Sequence, residues 1–148
     1  MDTRISGVLL TPLRIVPVEE GNVLHAIKQA SPGFSGFGEA YFSTILPGKT
    51  KAWKRHERMT LNLVVPVGNV RFVIFDDRKD SGSHGQTEEF RLSQDNYARL
   101  TVPPLLWMGF QCLGDSLGLI LNVADMEHDP AEAERLPIDA IPFDWTLK

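Results

Sequence analysis

From Lys54 onward the chain alternates. Lys54, His56, Arg58, Thr60 and Asn62 share one parity, and Met59, Leu61, Leu63, Val65 and Val67 share the other. Successive side chains of a strand point to opposite faces. The pattern therefore predicts one strand within Gly48–Gly68, with a polar row on one face and an apolar stripe on the other. Such a row faces bulk water on an antiparallel sheet, or it lines the wet interior of a small barrel, where each buried polar group needs a partner. Pro66 bends the strand near its end. Gly68-Asn69 then reads as a two-residue hairpin turn, with Val70–Phe75 as the return strand.

The remaining segments are of the same kind. Ile5–Val18 is rich in β-branched residues and broken by Pro12 and Pro17, which predicts one or two short edge strands. Gly21-Asn22 is a turn, and Val23–Lys28 is either a short strand or a helical turn. Residues 30–38 form a loop by their Gly, Ser and Pro content. Glu39–Leu46 is a strand closed by the Pro47-Gly48 turn. Asp76–Gly85 is a polar loop, with Asp76, Asp77 and Arg78 as its charged stem. Further strands are expected at Glu88–Leu92, Tyr97–Val102, Leu106–Leu113 and Leu117–Val123. One short C-terminal helix is predicted to start at Asp129-Pro130, with Asp129 as cap, Pro130 at the first helical position and Glu132 completing a capping box. About ten short, evenly spaced strands with almost no helix indicate an all-β protein, a double-stranded jelly roll or barrel. Residues 1–148 are expected to form a single domain.

Composition narrows the function classes. The chain has 148 residues, 43% hydrophobic and 23% charged, with a net charge of −4. That is ordinary for a globular protein. Acids and bases are interspersed and no basic block occurs, which gives no support to nucleic-acid binding. No apolar run has the length of a membrane span and no signal peptide stands at the start, so a cytoplasmic location is expected. The single cysteine, Cys112 in GFQCLG, reads as a buried core thiol.

The frame from Gly48 to Gly68 resembles the first motif of the cupins, a jelly-roll family in which two His on one strand face and a following Glu hold a metal. Here Lys54 stands at the first His position, His56 at the second, and Met59 or Thr60 at the Glu. Pro103–Met108 resembles the second motif, with Leu105 for its Gly and Met108 for its His. One imidazole beside an ammonium is a poor divalent site, so neither metal nor cofactor is expected. A metal-dependent cupin would reveal itself by stoichiometric metal in the purified protein.

A narrower resemblance covers most of the chain. GNVRFVIFDDRKDSGSHG (68–85), LSQDNYARLTVPPLLWMGFQCLGD (92–115), Val16–Lys28 and HDPAEAERLPIDAIPFDW (128–145) are similar to segments of the dTDP-4-dehydrorhamnose 3,5-epimerase family. This branch of the cupins uses the barrel without a metal. The resemblance implies proton abstraction beside a ketone by a histidine, oriented by an Asp, with a tyrosine donating a proton on the opposite face. It also implies a homodimer. The family's Arg-Gly-Leu-His reads here as Lys51-Ala52-Trp53-Lys54, so Lys54 replaces the histidine base. The tyrosine position falls at Leu121 or Asn122, neither of which can act as an acid. The Asp falls near Ile138 or Asp139, and Asp139 fits. Glu20 replaces an Arg that contacts phosphate, and Met108 replaces a His.

The expected catalytic residues are therefore Lys54, His56 and Asp139. Arg58, Asn62, Trp107, Met108, Asn122 and His25 are expected to bind substrate. Histidine titrates near neutrality, and a lysine becomes a base when burial or nearby cations lower its pKa. Lys54, His56 and Arg58 together would make an electropositive row suited to a diphosphate or an enolate oxygen. Trp53 and Trp107 either stack on a ligand or fill core. The implied function is epimerisation or isomerisation of a nucleotide-linked keto sugar, in deoxysugar or surface-polysaccharide biosynthesis. The alternative is a catalytically degenerate cupin that only binds a nucleotide sugar or another saccharide.

Overall fold

A computed structural model describes residues 2–146. Among them run twelve strands: β1 (Leu9–Pro12), β2 (Ile15–Val16), β3 (Val23–Leu24), β4 (Glu39–Ile45), β5 (Thr50–His56), β6 (Leu61–Val67), β7 (Asn69–Phe75), β8 (Thr87–Leu92), β9 (Ala98–Val102), β10 (Trp107–Leu113), β11 (Gly118–Ala124) and β12 (Ala133–Arg135). Ten of them form two antiparallel sheets, in the orders β1-β9-β6-β11-β4 and β12-β5-β10-β7-β8. The remaining two, β2 and β3, pair as a small ribbon. The inner faces meet in a core that includes Leu63, Val65, Phe72, Ile74, Leu100, Ile120 and Cys112. This is the expected jelly roll.

The alternating stretch is two strands rather than one. After His56 the backbone leaves the ladder because side-chain carboxylates take its donors. Glu132 Oε2 accepts from the N–H of Arg58 at 3.2 Å and of Met59 at 3.3 Å, and Asp125 Oδ1 accepts from Thr60 N–H at 2.9 Å. The chain thereby crosses from the sheet holding β5 to the sheet holding β6. A parity that points inward in β5 points outward in β6, where Leu61 and Leu63 face in and Asn62 faces out. Gly68-Asn69 likewise changes sheets rather than closing a hairpin, since β6 pairs with β9 and β11 while β7 pairs with β8 and β10. Gly68 sits at φ +86°, and a Cβ there would lie 2.5 Å from the Leu117 carbonyl oxygen.

The expected C-terminal helix is a single 3-10 turn, Pro130–Glu132. Asp129 does cap it, accepting from Ala131 N–H at 3.0 Å. Glu132 does not reach back to complete a capping box, because its carboxylate is drawn across to the β5–β6 junction, and β12 follows at once.

Two irregular segments cover the outer faces. Buried Arg99 donates to the carbonyls of Ala26 and Pro32, both at 2.8 Å, and so fastens the loop after β3 over one sheet. On the other sheet, Ile141, Phe143 and Trp145 pack with Trp53, Val73 and Trp107.

Candidate functional site

Between the sheets lies a cavity of about 460 Å³. Its inner wall is apolar, with Met59, Leu61, Leu63, Phe72 and Ile120. Its polar side chains come from three strands near one edge: Tyr41 and Ser43 from β4, Lys51, Lys54 and His56 from β5, and Arg135 from β12. Asn122 of β11 adds a seventh, deeper and buried. Tyr41, Lys51 and Arg135 are exposed and mark the mouth.

A bulge arranges the β5 side chains. Met108 pairs with Lys54, but Phe110 pairs with Lys51, so Ala52 and Trp53 together oppose Gly109. One extra residue restores the parity, and Lys51 and Lys54, three apart, both face the cavity. Gly109 accepts this crowding because it lacks a Cβ, which would stand 2.7 Å from that of Ala52.

Lys54 lies opposite Arg135 in the β5–β12 ladder. Burial lowers its pKa, the Arg135 charge lowers it further, and Glu132 pulls the other way. His56 Nδ1 contacts Glu132 Oε1, both groups being buried. Burial by itself would raise the Glu132 pKa. Hydrogen bonds from His56 and from the Arg58 and Met59 backbone outweigh it, and the carboxyl is held below the usual range. An ionised carboxylate on Nδ1 fixes the proton there and leaves Nε2 as the basic nitrogen of the ring. The site thus offers an oriented imidazole, a lysine with a weakened hold on its proton, and an apolar wall. No three His, Cys, Asp or Glu side chains converge as metal ligands among the described residues.

Of the residues expected from sequence, Lys54, His56, Met108 and Asn122 line this cavity. The others do not. The Arg58 side chain is 63% exposed and pairs with Asp129 at 3.2 Å, because the strand has ended before it. Asn62 faces outward on β6, where it donates to the Gly33 carbonyl and accepts from Thr101. Trp107 has the opposite parity to Met108 on β10, and its Nε1 donates to Asp77 at 2.9 Å. His25 belongs to the loop over the outer face, its carbonyl accepting from Tyr97. Asp139 is exposed in the second 3-10 turn, Ile138–Ala140. The carboxylate beside the histidine is Glu132, seven residues earlier in the chain. Sequence reasoning missed Tyr41 and Arg135 as well as Glu132. Tyr41 shared a face with Ser43 in a strand whose partner was unknown.

An all-β barrel of two facing sheets with a polar-edged internal cavity defines a cupin-type jelly roll. Residues 52–147 match the family model described as dTDP-4-dehydrorhamnose 3,5-epimerase, and the chain belongs to that family. It is 33% identical over 114 residues to the probable low-salt glycan biosynthesis epimerase Agl13 of Haloferax volcanii, covering 74% of this chain and 73% of that protein. It is 28% identical over 148 residues to the spore coat polysaccharide biosynthesis protein SpsL of Bacillus subtilis, covering 97% and 98% of the two chains. The crystal structure of a dTDP sugar isomerase from Desulfovibrio desulfuricans G20 superposes with a TM-score of 0.93 at 45% identity, covering 96% of this chain and 92% of that one.

Proposed function

We propose that this protein epimerises or isomerises a nucleotide-linked 4-keto-6-deoxy sugar during deoxysugar or surface-polysaccharide synthesis. The observation that carries the reading is the His56–Glu132 pair beside Lys54 in a cavity with an apolar wall. His56 Nε2 takes the proton from the carbon next to the ketone. Glu132 holds the ring and stabilises the imidazolium that forms. Lys54 donates to the oxygen that gains charge as the enolate develops. Arg135 and Lys51, at the mouth, suit the diphosphate of the nucleotide. Asn122 and Met108 contact the sugar. The dTDP sugar isomerase and the glycan epimerase among the relatives support the substrate class. The proposal includes a homodimer in the cytoplasm, and sedimentation equilibrium tests the oligomeric part.

The decisive experiment incubates the protein with a dTDP-4-keto-6-deoxyhexose in deuterated water. Label should enter at C3 or C5, and His56→Ala should slow this by about 100-fold or more, the usual worth of a general base. Absence of label with the native protein sinks the reading. The replacement of two family histidines by Lys54 and Met108 favours a second reading, a protein that only binds the nucleotide sugar. Thermal stabilisation by that ligand without exchange would establish it.

A further inference from the structure

Inverting a carbon centre needs proton transfer on both of its faces. His56 and Lys54 project from β5, in one sheet. Tyr41 projects into the same cavity from β4, in the other. Asn122 Nδ2 lies 3.0 Å from the Tyr41 hydroxyl oxygen. The Asn122 amide is fixed in direction, because its Oδ1 is 3.2 Å from the backbone N–H of Asn62, which can only donate. Nδ2 therefore donates to Tyr41 Oη. The phenol keeps its own proton free for another acceptor, and the same amide is in place to stabilise the phenolate left behind.

We propose that Tyr41 is the acid that protonates the sugar carbon on the face opposite His56. Asn122 acts through it as a positioning residue. Tyr41 and Asn122 are direct partners in the β4–β11 ladder. The acid that residues 121 and 122 cannot supply thus comes from the adjacent strand, held by the side chain at 122. The assignment rests on the ketone chemistry proposed above. In balance, His56 Nε2 takes the C–H proton and the bonding pair moves onto the carbonyl oxygen. The enolate then collapses to the ketone as its carbon takes the Tyr41 proton from the other side. The phenolate regains a proton from water at the mouth, where Tyr41 is 37% exposed, and the imidazolium releases its own to solvent.

Tyr41→Phe separates the two faces. In deuterated water the native protein should give labelled sugar of inverted configuration. The variant should still exchange the C–H proton, within about threefold of the native rate, with label returning on the original face. Inverted product should fall by about 100-fold or more. Asn122→Ala should reduce inversion in the same sense, to a smaller extent. Full inversion by Tyr41→Phe overturns the assignment alone. Loss of exchange together with inversion also overturns it, since that marks a group needed before deprotonation. No exchange by the native protein defeats the ketone chemistry, and the assignment with it.

Discussion

Glu132 is the residue whose loss should be felt most widely. Its two oxygens serve His56 and the backbone turn at Arg58 and Met59. Glu132→Gln leaves a buried imidazole without its anion and should cost about 3 kcal/mol at neutral pH, as broken buried pairs do. The sign with pH follows from the depressed carboxyl. Its stabilisation is present above the unfolded value, near 4, and is lost as pH falls through the folded one. Melting curves through the acid range should show the native protein losing stability below about pH 4, and the variant lacking part of that slope. Buried Asp76 adds to the slope with the same sign. Burial pushes its pKa up, but hydrogen bonds from Arg78, Ser81 and Ser83 outweigh this and hold it far below the usual range. Lys54 is depressed in the opposite sense, toward neutrality. Arg135→Gln removes a repelling charge, so the Lys54 pKa should rise, as read from its side-chain carbon resonance. Lys54 and His56 were legible from alternation alone. Glu132 was not, because its local pattern fits a capping box while its partner lies 76 positions away.

At the scale of elements, the decisive event is the break after β5. Three successive N–H groups are taken by carboxylates that sequence places far downstream. Asp125→Ala removes the acceptor of Thr60 N–H and should cost about 1–3 kcal/mol by chemical denaturation. Gly68→Ala should cost at least about 2 kcal/mol, since the residue combines a positive φ with backbone, rather than a yielding side chain, where the methyl would go. Period-two alternation reports which residues share a face of one strand. It carries no information on which sheet the strand joins. That is why strand positions from β4 to β11 were largely readable, while the inward row was extended to Arg58 and Asn62, beyond the point where the chain changes sheets.

For the whole molecule, evenly spaced short strands and family-like segments sufficed to indicate two packed sheets. What covers those sheets was not readable, because Arg99 and the Ile141–Trp145 strap have no periodic signature. Both cavity-edge strands are bonded on one side only: β4 pairs solely with β11, and β12, three residues long, solely with β5. The doorway is therefore framed by the two ribbons with the fewest ties, while the back wall belongs to the most deeply laddered ones. Passage of a bulky, charged guest would be governed by fraying of these jambs, with no hinge required. Amide protons of β4 and β12 should trade with solvent well ahead of those in β7 and β10, and a bound nucleotide should slow the former selectively.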